Sequence, residues 1–272
     1  MKIKKCFLIG LIVGIFSVSS TVSQAKYHVS AKAAIFSNST QVIRYYGKNV
    51  HTRVRPASTV KVMTALVVLE NLALDKVVTV SQRATYPQPS KIYVKKGERY
   101  KVRDLLYAIL LKSANDASVV LAEAVSGSES DFVELMNLRA KQLGAHHTKF
   151  VNPNGLPSSR GAQYTTPYDM YLIFREALKH PFFKQAVTYK YKKIRSLSGR
   201  KITLKSHNKI LFKNWKQKLF GKTGWTRKAK SCFVGYTVRG KEKDICIIAL
   251  FGASRRWRDI KHIVERYGLI DL

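Results

Sequence analysis

The sequence predicts an interleaved α/β unit with strands at both ends of the chain and helices between them. Two observations carry this. The stretch "AKAAIFSNSTQVIRYYG" alternates as two strands around a polar turn, and "SCFVGYTV" with "ICIIALFG" reads as a hairpin around "RGKEKD". A third observation bounds the size: 272 residues with 46% hydrophobic content suffice for a sizeable core. No linker, internal repeat or low-complexity tail divides the chain, so residues 26–272 are expected to form a single domain behind a leader at 1–25.

The leader has the parts of a secretory signal: a basic "MKIKK", an apolar run "FLIGLIVGIFSV", and Ser23 and Ala25 at small-residue cleavage positions. The run is shorter than the roughly 20 apolar residues a membrane span needs. The expectation is secretion across the cytoplasmic membrane, into the periplasm or cell-wall space, with membrane association only if the leader is retained.

After the first two strands, Pro56 opens a helix with apolar residues at Val60, Met63, Val67 and Val68, continuing to about Asn71. Residues 76–102 are short and strand-like, with turn signals at "YPQPS" and "KKGE". "VRDLLYAILL" reads as a buried helix, which "KSAND" interrupts before "ASVVLAEAV" resumes it. An amphipathic helix follows, with Ser130 as its expected cap and Gly144 as its stop. "FVNPNGLPSSRGAQYTTP" is a loop, "YDMYLIFREAL" a helix, and from about residue 187 the chain is strand-like and basic until a last helix through "DIKHIVERYG".

Cys232 and Cys246 are the cysteines of the mature chain. If Val238 lies opposite Ile245 in the hairpin, Cys232 falls near Phe251 and the thiols stand several rungs apart, too far for a disulfide. The formal net charge is +33, and between Ala177 and Lys241 there are 19 Lys or Arg and no Asp or Glu. Such a block implies solvated basic faces and attraction to polyanions, an anionic membrane or an acidic wall polymer. Nucleic acid has only the charge in its favour, and the secretion signal opposes it. His146 and His147 are adjacent and diverge, and no Cys or His cluster has ligand spacing, so neither metal nor cofactor is expected.

Three short motifs carry chemistry. In "STVK", Ser58 and Lys61 are one helical turn apart, where a hydroxyl and its base can meet. A lysine acting as base near neutral pH needs its pKa lowered by about three units, which burial and a second cation favour. The spacing alone proves nothing, because "SQAK", "SGRK" and "SHNK" match it and Ser58 can simply cap the helix. "KSAND" supplies Ser113 as a proton relay and Asn115 as a ligand for a peptide backbone, although alone it is a turn, and "SHN" at 206–208 matches it equally. In "FGKTGWT", Lys222 is a cation, Thr223 a hydroxyl donor, and Gly224 lets a substrate strand approach closely. The alternative there is a basic hairpin tip.

In order, "STVK", "SAN" and "KTG" resemble the signature of the penicillin-interacting serine peptidases. The flanks "PASTVKVMTALVVLE", "GERYKVRDLLYAILLKSANDASVVLAEAVSGS" and "FVELMNLRAKQLGAHHTKFVNPNGLP" look like the D-alanyl-D-alanine carboxypeptidases, the low-molecular-mass penicillin-binding proteins. The resemblance implies a DD-peptidase/β-lactamase-like fold: an antiparallel sheet covered by helices, a mainly helical lobe, and the active site between them. It implies Ser58 as acyl-enzyme nucleophile, Lys61 as general base and Ser113 as second proton-transfer residue. Asn115, Lys222, Thr223 and Gly224 would hold the substrate, together with an arginine from "ASRRWRDI", for which Arg258 is the choice over Arg255 and Arg256. The implied partners are peptidoglycan stem peptides and, as covalent inhibitors, β-lactams. Cleavage of cross-links by the same machinery, or a non-catalytic basic wall-binding protein, are the alternatives. Glu134 is too close in sequence to Ser113 to serve as the deacylating base of a β-lactamase. Two departures from the family pattern stand out: Gly221 directly precedes Lys222, and Lys230 stands where glycine is common. With Leu272 soon after the last helix, the β-rich domain that some relatives carry is expected to be absent.

Overall fold

A computed structural model describes residues 27–40, 43–159, 161–240 and 244–272. The leader lies outside the described residues. Strands β1 (Ala33–Asn38) and β2 (Arg44–Lys48) come first, then a 3₁₀ turn at Ala57–Val60 running into helix α1 (Lys61–Asn71). Strands β3 (Val77–Thr79) and β4 (Arg99–Lys101) form a small ribbon ahead of helices α2 (Val102–Tyr107), α3 (Asn115–Ser126) and α4 (Glu129–Gln142). Helices α5 (Pro167–Ala177) and α6 (Pro181–Ala186) lead to a hairpin of β5 (Tyr191–Arg195) and β6 (Lys201–Lys205). Strands β7 (Phe220–Thr226), β8 (Lys230–Arg239) and β9 (Asp244–Ala253) and helix α7 (Arg256–Gly268) complete the chain.

The ends of the chain meet in one antiparallel sheet of order β2-β1-β9-β8-β7. In β9 the side chains of Ile247, Ala249 and Phe251 enter the core shared with α1 to α5, while Cys246, Ile248 and Leu250 enter a second core under α7. Both faces of β9 are thus covered, which is why "ICIIALFG" is continuously apolar and does not alternate with polar residues. Val238 pairs with Ile245 as expected, and a bulge between Ser231 and Phe233 leaves Cys232 across from the Phe251 region. Cys246 pairs with Thr237, and both thiols are free and buried.

Two local readings are corrected. The cap of α4 is Ser128, whose side chain accepts from Asp131 N at 3.1 Å; Ser130 lies inside the first turn. The predicted helix over "VRDLLYAILL" is α-helical only to Tyr107 and then widens into a π-turn over Ala108–Lys112, ending at Ser113 with φ 61°. That left-handed residue, rare without glycine, turns the chain between α2 and α3 and aims Ser113 out of the helical lobe. Among the described residues no helix is long and apolar enough to cross a membrane.

Candidate active site

The seam between sheet and helical lobe is built from the three motifs. Ser58 is inside the 3₁₀ turn, and no side chain caps the turn or α1; its hydroxyl instead donates to Asn154 O at 3.4 Å. The residue before it, Ala57, has φ 48°, an uncommon conformation for a side-chain-bearing residue. Two glycines hold this strained step: a Cβ on Gly155 would stand 2.1 Å from Ala57 O, and one on Gly224 would stand 3.0 Å from Ser58 N. Side chains at either position would push strand β7 or the "NPNG" loop away from Ser58.

Lys61 is fully buried at the start of α1. Its Nζ lies 3.2 Å from Ser58 Oγ, 2.7 Å from Asn115 Oδ1 and 2.5 Å from Asn154 O, so as an ammonium it donates to all three. As a neutral amine it keeps two protons for Asn115 and Asn154 and turns a lone pair to the serine hydroxyl. Burial, and then the cation of Lys222, push its pKa well below the ordinary lysine value; Asp116 opposes them. Asp116 is itself engaged: its carboxylate accepts from Ile92 N at 3.0 Å and Val94 N at 3.2 Å, fixing the loop at the cleft edge.

Asn115 opens α3 and is held on both sides, its Nδ2 donating to Gln88 O at 2.7 Å while its Oδ1 accepts from Lys61. Ser113 Oγ accepts from Lys222 Nζ at 2.9 Å, and the same ammonium reaches Thr223 O at 2.8 Å. Lys222 is also buried, and desolvation followed by the charge of Arg256 lowers it to about 7. Strand β7 is the free edge of the sheet, so a substrate strand can pair along "KTGWT". A Cβ at Gly221 would come within 2.2 Å of Val234 O, which accounts for glycine beside Lys222. Lys230, at φ 58°, adopts the left-handed conformation that glycine takes readily, and pays the side-chain strain that glycine avoids.

The arginine assignment is corrected. Arg258 lies over the Tyr27 ring, 5.1 Å from its centroid, away from the cleft. Arg256, the first residue of α7, lines the cleft, its Nη1 donating to Cys232 O at 2.9 Å and Gly224 O at 3.3 Å. Burial lowers it to about 10, so it stays charged, and its Nε is buried without a partner. Arg255, Arg256 and Arg258 stand at a helix start, where each step along the chain turns the side chain by about 100°, and which of them faces the cleft is not resolved by spacing alone. The competing "SHN" is divided: Asn208 caps a 3₁₀ turn and donates to Leu219 O, whereas His207 joins the cleft wall. Desolvation and the cations of Lys222, Lys112 and Lys61 bring His207 down to about 4, making it a neutral imidazole at pH 7.

Together Ser58, Ser113, Asn115, Thr223, Gly224, Trp225, His207 and Arg256 border a cleft of about 290 Å³. No Asp or Glu lines it, and Glu134 is exposed on α4. Among the described residues no His, Cys, Asp and Glu cluster has the makings of a metal site. The arrangement can therefore generate an alkoxide from Ser58, relay a proton through Ser113, and hold an anion at Lys222, Thr223 and Arg256. Asn154, which supplies a backbone carbonyl to Lys61, was invisible to motif reasoning because no side chain carries its role.

Residues 19–254 match the family model described as D-alanyl-D-alanine carboxypeptidase. Similar proteins include the D-alanyl-D-alanine carboxypeptidase DacF of Bacillus subtilis, 33% identical over 91% of this chain and 65% of its own length. The D-alanyl-D-alanine carboxypeptidase of Streptomyces sp. K15 is 30% identical over 95% of this chain and 94% of its own. The chain thus spans just under two thirds of the Bacillus relative and nearly all of the Streptomyces one. In structure it is similar to the Streptomyces K15 DD-transpeptidase, with TM-score 0.81, 29% identity, and 90% and 99% of the two chains covered. It is also similar to penicillin-binding protein D2 of Listeria monocytogenes in its ampicillin-bound form, with TM-score 0.75, 28% identity, and 89% and 98% covered.

Proposed function

The chain belongs to the D-alanyl-D-alanine carboxypeptidase family, and from that premise we propose that it removes the terminal D-alanine from peptidoglycan stem peptides through an acyl-enzyme on Ser58. One observation carries the reading: a buried lysine with a lowered pKa lies 3.2 Å from the serine hydroxyl. Neutral Lys61 takes the Ser58 proton as Oγ attacks the carbonyl of the penultimate D-alanine. The Ser58 amide, in the first turn of the helical segment where amides lack intrahelical acceptors, faces the developing oxyanion. The terminal carboxylate sits at Lys222, Thr223 and Arg256, and the peptide backbone lies between Asn115 and the β7 edge. As the C–N bond breaks, Ser113 passes a proton to the departing amine and regains one from Lys222, and the proton that Lys61 took from Ser58 passes through the cleft solvent to Lys222, so that Lys61 is neutral again. Water then attacks the ester with Lys61 again as base, releasing the shortened peptide and restoring Ser58.

A β-lactam enters the same cleft and acylates Ser58. The absence of a carboxylate at the cleft wall supports slow hydrolysis of that adduct. The leader supports secretion, and the acid-free basic stretch supports contact with an anionic membrane or wall polymer outside the cytoplasm. The decisive experiment is labelling with a fluorescent penicillin, with mass spectrometry of the adduct, beside release of free D-alanine from a pentapeptide. Both signals are expected in the wild type and lost in Ser58→Ala, by at least about a thousandfold in rate. A wild type that neither labels nor releases D-alanine refutes the reading.

A further inference from the structure

A cavity of about 600 Å³ lies against the catalytic cleft, and the two have His207 in common. Its cations come from three parts of the chain. Lys112 ends the π-turn, Lys205 ends β6, and Lys209 and Lys213 begin and follow the 3₁₀ turn at Lys209–Phe212. No Asp or Glu lines the cavity, and among the described residues none of these four lysines forms an ion pair. Four ammonium groups around one recess repel one another, and a concave wall concentrates their field. An anion that enters relieves that repulsion.

Two further features narrow the ligand. Ser206 in the cavity wall is 9% exposed; its Oγ accepts from Asn208 N at 3.2 Å, and its own proton has no protein acceptor among the described residues. Phe212, 38% exposed, is set edge-on to Tyr191 with ring centroids 5.5 Å apart, and Lys205 Nζ stands 5.4 Å from its centroid. An aromatic face among ammonium groups suits a pyranose ring, which is apolar across its C–H face and polar at its substituents. A phosphate monoester carries about −1.5 to −2 charges at pH 7, more than a carboxylate does. Its tetrahedral oxygens accept from compact lysine ammonium groups without the planar register that an arginine fork needs.

We infer that this cavity binds a phosphorylated sugar, with the phosphate among the lysines and the ring against Phe212. The inference gives a place and a chemistry to the wall-polymer contact proposed above, and it rests on that part of the reading, not on the acyl-enzyme. A lipid surface fits less well, because the lysines line a recess and not a plane. His207 reports occupancy. Desolvation and the cations of Lys222, Lys112 and Lys61 hold it at about 4, so an anion beside Lys112 offsets one of those charges and raises it.

The test titrates the full chain with N-acetylglucosamine 1-phosphate, inorganic phosphate and glucuronic acid, with dissociation constants from calorimetry and the His207 ring followed by NMR. The sugar phosphate is expected to bind saturably, roughly 3- to 10-fold more tightly than either of the others, and to raise the His207 titration midpoint. Lys209→Gln with Lys213→Gln should weaken it roughly 3- to 10-fold, and Phe212→Ala should bring it level with inorganic phosphate. Lys76→Gln with Lys141→Gln removes the same charge from exposed positions outside the cavity and should leave the affinity unchanged. Absence of saturable binding, equal binding of glucuronic acid, or an equal loss in the Lys76 and Lys141 variant overturns the inference. So does binding to phosphatidylglycerol vesicles that needs Lys209 and Lys213 while the sugar phosphate does not bind. The ligand comparison is made on the wild type, so it decides the matter even where a variant fails to fold. Penicillin labelling is scored separately, and its failure in the wild type refutes the proposed reaction, not the sugar-phosphate site.

Discussion

Lysine does two opposite things in this molecule. In the cleft, Lys61 and Lys222 are buried, hydrogen-bonded and close enough that each cation makes the next less favourable. On the β5–β6 hairpin, Lys193 and Lys201 are exposed, and the strand register even sets Lys201 opposite Arg195. Like charges across a strand pair repel, but water and counter-ions screen them within about 8 Å at physiological ionic strength. The same side chain has a lowered pKa where solvent is excluded and is a generic surface charge where it is not. Environment, not residue type, decides the chemistry.

Substituting Lys61 breaks the contrast most severely. Lys61→Met keeps the buried stem and removes the amine, and the penicillin acylation rate is expected to fall by about 10³-fold or more in stopped-flow measurements. In the wild type that rate should rise with pH through the depressed pKa of Lys61 and level off well below the ordinary lysine range. A profile that rises only near pH 10 would mean that Lys61 is not the base.

The next effect is on stability. Lys222 has a folded pKa of about 7 against roughly 10.4 in an unfolded chain, so between those values the unfolded state binds more protons. Its contribution is therefore least favourable below pH 7 and improves as pH rises toward 10, by up to about 4 kcal/mol in order of magnitude. Urea midpoints of wild type and Lys222→Met should differ in slope over this window, with the variant showing a smaller rise, the part that the buried Lys61 still contributes. Parallel curves would show that Lys222 is not held as a desolvated cation.

The smallest effect sharpens the other side of the comparison. Lys193→Gln with Lys201→Gln should change stability by no more than about 0.5 kcal/mol and leave penicillin acylation unaltered. Retention on an anionic wall polymer should weaken in the variant, and in the wild type as salt rises. A large loss of acylation would show that the hairpin supports the cleft.

Much of the site was legible because its chemistry depends on residue types at short spacing. Ser58 and Lys61 are one turn apart, and Ser113 and Asn115 bracket a break between helices. The sheet at the carboxy end was equally readable, down to the pairing of Val238 with Ile245. Less legible were features set by backbone shape: the π-turn that aims Ser113, the positive φ of Ala57, and the carbonyl of Asn154. The choice of Arg258 over Arg256 failed for the same reason, since helix phase depends on where the helix begins.

By itself, then, the sequence determined the elements, the apolar faces and the groups able to act as nucleophile, base, relay and anion holder, because those follow from local pattern and side-chain chemistry. Only the tertiary structure decided that Ser58 is not a cap, that Lys61 touches both Ser58 and Asn115, and that Lys222 reaches Ser113 across 109 positions of sequence. Those facts come from burying two lysines at one seam between sheet and helices. Desolvation and cation proximity, which lower a lysine's pKa, exist only once distant parts of the chain have closed around it.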